Sequence, residues 1–125
     1  MSHPKPTDKE LEILQILWAK GPSTVRQVND LLNEHQPVGY TTSLKVMQIM
    51  HEKGLLSRSK SGKTHIYKAE VSQEAAQKDM LNKMIDRVFE GSAMKLVIQA
   101  LGSKTPSEQD LKEIRDYLDQ LDQRS

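Results

Sequence analysis

The chain has no cysteine, which removes disulfides, thiol nucleophiles and thiolate metal ligands together. It has no unbroken apolar run near the length of a membrane span, so neither a transmembrane helix nor a signal-peptide core is expected. Internal repeats and low-complexity tracts are missing. So are a nucleophile motif, a glycine loop able to cradle a phosphate, and a His-x-x-x-His metal spacing. Glu10, Glu12, His35, His51 and His65 are the side chains best suited to acid–base or metal work, and no ligand spacing joins them. These gaps argue against an enzyme, a bound metal or a cofactor. A chain of 125 residues has room for one compact domain, or a small domain with an oligomerisation appendage. Its polar, proline-broken start, MSHPKPTDKE, reads as a flexible lead-in to a cytoplasmic protein.

Net charge is small, +1, but its distribution is uneven. Residues 41–68 carry Lys45, Lys53, Arg58, Lys60, Lys63 and Lys68 against a single acid, Glu52, with His51 and His65 among them. Residues 105–125 carry Glu108, Asp110, Glu113, Asp116, Asp119 and Asp122 against Lys112, Arg115 and Arg124. Affinity for a polyanion therefore belongs to the first segment.

Capping patterns place the helices. Thr7 and Glu10 form a capping box, Leu11, Leu14, Leu17 and Trp18 follow at helical spacing, and Gly21-Pro22 stops the element. Thr24 and Gln27 repeat the box ahead of Val25, Val28, Leu31 and Leu32. After a loop at NEHQPVG, Thr41 or Thr42 is expected to cap a third helix that Gly54 ends. The period then changes to alternation. Runs around 55–60 and 64–69, joined by a Ser-Gly-Lys turn, predict a β-hairpin.

Helical spacing resumes from Ser72 to about Glu90, with Met80, Leu81, Met84, Ile85, Val88 and Phe89 on one face, and Gly91 is the expected stop. SAMKLVIQAL predicts a short helix bearing Leu96, Val97, Ala100 and Leu101 and closed by Gly102. The last helix should start with Thr105 as cap, Pro106 at the first helical position and Glu108 completing the box. Leu111, Ile114, Leu118 and Leu121 then make a coiled-coil spacing.

Three helices and a basic hairpin are the chain order of a winged helix-turn-helix domain. The expected fold is mainly α, with such a domain over residues 1–70 and a helical dimerisation domain over 71–125. The third helix then needs two working faces. Met47 and Met50, flanked by Val46, His51 or Ser43, suit the core; Thr41, Thr42, Leu44, Lys45, Gln48 and Ile49 are placed outward, although burying Leu44 would rotate the helix slightly. Threonine and lysine donate to bases or phosphates, glutamine can pair with adenine, and apolar side chains touch thymine methyls. Arg26, Arg58, Lys60 and Lys63 read as phosphate contacts. The expected partner is double-stranded operator DNA; the alternative is a winged module that binds protein instead. A homodimer through Leu81, Met84, Ile85, Val88, Leu96, Leu111, Ile114, Leu118 and Leu121 would cover apolar stripes that one small lobe cannot bury.

The order and spacing of PTDKELEILQILWAKGPSTVRQVNDLL, YTTSLKVMQIMHEKGLL, GKTHIYKAEVSQEAA, FEGS and LV resemble the penicillinase repressor family over nearly the whole chain. The resemblance implies a homodimeric bacterial repressor on a dyad operator, relieved through a membrane-bound sensor metalloprotease. It places the cleavable bond at Gln99-Ala100, where β-lactam-responsive members carry Asn-Phe. The cysteine motif of the copper-responsive branch is missing, and Ile49 stands where members often place arginine.

Overall fold

A computed structural model describes residues 5–124; the start of the lead-in, through Pro4, and Ser125 lie outside them. The element order is α1 (Asp8–Lys20), α2 (Val25–Leu32), α3 (Tyr40–Glu52), β1 (Leu56–Ser61), β2 (Thr64–Ala69), α4 (Gln73–Val88), α5 (Ala93–Ser103) and α6 (Glu108–Arg124). Both capping boxes form. The Thr7 hydroxyl accepts the Glu10 amide at 3.2 Å while the Glu10 carboxylate accepts the Thr7 amide at 2.9 Å. Thr24 and Gln27 exchange the same pair of bonds at 3.1 and 2.8 Å.

One apolar core unites α1, α2, α3 and the hairpin. Ile13, Leu14 and Leu17 meet Val25, Val28 and Leu32, and Met47, Met50, Leu55, Leu56 and Tyr67 close the far side. β1 and β2 are antiparallel in a register running from Leu56 opposite Ala69 to Ser61 opposite Thr64. Gly62 turns the strands at φ +65°, the left-handed value that a tight hairpin demands of its first turn residue. The hairpin is pinned to the helices by Ser23, whose backbone exchanges hydrogen bonds of 2.9 and 2.8 Å with that of Tyr67. The Trp18 indole donates to the Val71 carbonyl at 2.8 Å and ties the exit of the hairpin to α1.

Contacts divide the chain into two units between Met80 and Leu81. In the second, α4 stops where Gly91 donates back to the Ile85 carbonyl at 2.9 Å, with Glu90 and Gly91 both at positive φ. Neither α5 nor α6 contains a buried residue.

Three expected helix ends are corrected. The N-cap of α3 is Gly39, which makes no side-chain cap bond, so Thr41 and Thr42 lie inside the first turn. α5 continues through Gly102 to Ser103, with Lys104 as its C-cap, because Gly102 does not take the positive φ with which Gly91 follows α4. For α6 the cap pair is Ser107 and Asp110: the Ser107 hydroxyl accepts the Asp110 amide at 3.0 Å and the Asp110 carboxylate accepts the Ser107 amide at 3.3 Å. Two cap-like patterns overlap in TPSEQD, and the inner one forms.

Candidate nucleic-acid interface

Helix α3 is set by one side and free on the other. Ser43, Met47 and Met50 are buried, whereas Thr41, Lys45 and Gln48 follow one another at i, i+4 and i+7 on the exposed side. Thr42 and Ile49 flank that line, also exposed. Leu44 departs from the outward set: it is half-buried and packs against the core cluster, as its place one turn before Met47 and two before His51 requires. Its side chain is thus divided between core and surface.

The roll of α3 is fixed by polar contacts that the hydrophobic pattern does not show. Asn29 on α2 is buried, and its amide donates to the Ser43 hydroxyl at 2.8 Å and to the Val38 carbonyl at 3.1 Å. Asn33 donates to the Asn29 carbonyl at 2.8 Å and to the Val38 carbonyl at 2.9 Å, and accepts the Val38 amide at 3.1 Å. This network fastens the loop between α2 and α3 as well as the helices. Among the described residues, no buried side-chain polar atom lacks a partner.

A second tie crosses from the start of α1 to the end of α3. The Lys53 ammonium lies 2.9 Å from the buried Glu10 carboxylate. Burial alone would push the Glu10 carboxyl up, but hydrogen bonds from Lys53 and the Thr7 amide, together with the Lys53 charge, outweigh it and hold the group below its ordinary range. Lys53 is therefore engaged by a carboxylate of its own domain and does not count among the cations free for a polyanion. Glu10 has a structural partner, Glu12 pairs with Lys9 at 3.3 Å, and no group of three metal-ligating side chains occurs among the described residues.

The hairpin register sorts its cations by face. Arg58 stands opposite Tyr67 and Lys60 opposite His65, so these four project to one side, the side on which Leu56 and Ala69 continue toward the core. Lys68, opposite Ser57, points the other way. Arg58 donates a long hydrogen bond of 3.4 Å to the Tyr67 hydroxyl, Lys60 is exposed, and Lys63 is exposed in the turn. Arg26, exposed near the start of α2, lies with its guanidinium 4.5 Å from the centre of the Tyr40 ring. The structure thus gathers Arg26 and Lys63 with the beginning of α3 around one cleft.

The penicillinase repressor family matches residues 6–120. The chain belongs to the penicillinase repressor family. Transcriptional regulator BlaI of Mycobacterium tuberculosis, matched in two strains, is 33% identical over 61 residues, which are 48% of this chain and 44% of that protein. The chain thus spans less than half the length of the curated relatives it matches. A solved MarR family protein from Bacillus stearothermophilus superposes with a TM-score of 0.51 at 17% identity, covering 94% of this chain and 74% of that one. That likeness concerns the fold, a winged helix. No helix among the described residues is long and apolar enough to cross a membrane.

For this member of the penicillinase repressor family, the second unit displays its apolar side chains. Leu81, Met84, Val88, Leu118 and Leu121 are exposed; Ile85, Leu96, Leu111 and Ile114 are half-buried. Met94, Val97, Ile98 and Tyr117 add to the exposed apolar surface, beyond the residues that the periodicity nominated for dimerisation. Met94, Val97 and Ile98 lie on α5, where apolar residues run almost consecutively and mark no single stripe, and Tyr117 lies on α6 beside Leu118. Gln99 and Ala100 are exposed within α5.

Proposed function

We propose that this chain is a sequence-specific DNA-binding repressor that acts as a homodimer on a dyad operator. Thr41, Thr42, Lys45, Gln48 and Ile49 face the bases, with Leu44 at the margin, while Arg26, Arg58, Lys60 and Lys63 hold the backbone. The observation that carries this reading is the exposed Thr41–Lys45–Gln48 line on a helix whose opposite side is locked into the core. Residues of these types have no packing task there, and they match the donors and acceptors of a major groove.

Residues 1–70 bind DNA and residues 71–125 dimerise in this reading. Support for the second assignment is physical: helices with no buried residue and a continuous display of leucine, isoleucine and methionine need a covering surface. A two-fold dimer supplies it and sets two α3 helices on two half-sites. Repression is relieved through a membrane-bound sensor metalloprotease pathway, with cleavage at Gln99-Ala100. Because that bond is helical, α5 must open locally before a protease can take it.

A mobility shift tests the core of the reading. Purified protein is titrated onto its own upstream DNA and onto a random duplex of equal length, at several salt concentrations. Selective retardation of the upstream fragment that weakens as salt rises is expected. No shift on either duplex, from folded protein, would replace the reading with a winged protein-interaction module.

A further inference from the structure

The first unit carries two surface cavities of opposite character. One, of about 640 Å³, lies along α1 and the end of α2 and mixes Lys9 and Lys20 with Glu12 and Glu34. The other, of about 440 Å³, lies between the starts of α2 and α3 and the hairpin tip. Arg26, Lys63 and His65 line it with Thr24, Thr64 and Tyr40, and no acid is among its lining residues. A one-signed lining is therefore a property of this cleft and not of the surface at large.

Arg26 is held there without a carboxylate. Among the described residues no acid pairs with it; its neighbour is the face of Tyr40, 4.5 Å away. A guanidinium stacked on a ring keeps its N–H edge free for two parallel hydrogen bonds, the geometry that suits a phosphate.

We propose that this cleft seats one phosphate of the DNA backbone, and that Tyr40 is its positioning residue, holding the Arg26 guanidinium edge-on to the phosphate. The proposal rests on the DNA-binding reading above. Tyr40 thereby acts through Arg26 and reads no base, so its contribution is independent of sequence. Lys63 closes the seat from the hairpin tip, which couples the two helix starts to the wing through one anion.

The test uses the full chain and fluorescein-labelled duplexes, its own upstream DNA and a scrambled counterpart, with anisotropy followed against salt. Tyr40→Ala is expected to weaken binding to both duplexes by about tenfold and to lower the salt slope by about one per protomer. Tyr40→Phe, which keeps the ring face, should stay within about twofold of the parent. Arg26→Ala should match Tyr40→Ala, and the double variant should be no weaker than Arg26→Ala alone. Tyr40 is 39% exposed, so circular dichroism should show all variants folded.

Parental binding with an unaffected Tyr40→Ala, equal loss in Tyr40→Phe, or additive losses in the double variant would overturn the positioning role and leave the DNA-binding reading standing. Failure of the parent to bind either duplex would overturn both.

Discussion

The side-chain amide of Asn29 donates to the hydroxyl of Ser43 at 2.8 Å, and both residues are buried between α2 and α3. The contact crosses the helix-turn-helix where an apolar pair would pack with less angular preference. A hydrogen bond fixes direction as well as distance, so it sets the roll of α3 and with it the line Thr41, Lys45, Gln48 presented outward. Ser43→Ala should cost about 1 kcal/mol, and Asn29→Ala, which also removes one of the two side-chain donors to the Val38 carbonyl, about 2 kcal/mol. Urea unfolding checks both, and the double variant should fall short of the sum.

Glu10 and Lys53 give the domain an acid-side stability profile. The Glu10 carboxyl titrates lower in the folded chain than in the unfolded one. Its contribution is therefore complete above the ordinary carboxyl value of about 4.3 and is lost as pH falls through the folded value. Glu10→Gln should flatten that part of the profile, measured as urea midpoints at successive pH values. Lys53→Ala, which takes the ammonium donor from a buried carboxylate, should cost about 1–3 kcal/mol near neutrality.

Base reading and backbone holding separate by substitution. Lys45→Ala or Gln48→Ala should change which duplex is preferred, by about 1–3 kcal/mol at the affected base pair. Lys60→Ala should weaken binding to all duplexes alike and lower the salt slope. Competition binding against a panel of single-base operator variants distinguishes the outcomes; equal losses on specific and random DNA for all three would refute the assignment.

Oligomeric state is sensitive to the α6 leucines. Leu118→Asp or Leu121→Asp should separate a dimer that is closed by these side chains, seen as a halved mass in sedimentation and a fall in operator affinity. An unchanged mass would count against residues 71–125 as the joining surface.

Much of the first unit was legible because its signals are local. Thr7 with Glu10, Thr24 with Gln27, Gly21 and the alternating hairpin each announce themselves within a few residues, and each element formed where expected. What the sequence hid lies in pairings across the chain. Asn29 with Ser43 and Glu10 with Lys53 are 14 and 43 residues apart, and no periodicity marks them. Lys53 counts in the sequence only as one cation of the basic segment, because nothing near it in the chain marks Glu10 as its partner. The start of α3 was misplaced because threonines resemble caps wherever they cluster, whereas here Gly39 takes that position and leaves their hydroxyls unspent on capping. Leu44 shows the same limit: at the edge of a stripe, spacing alone does not divide core from surface.

The hydrogen bond from Trp18 to the Val71 carbonyl gives the protein an internal optical reporter. It is the chain's single tryptophan, half-buried, and it grips the backbone at the point where the wing is left behind and α4 is about to begin. Its emission wavelength therefore tracks whether that joint is fastened or wet. A ligand, duplex or cleavage event that loosens the joint will announce itself as a red shift, without any label being attached.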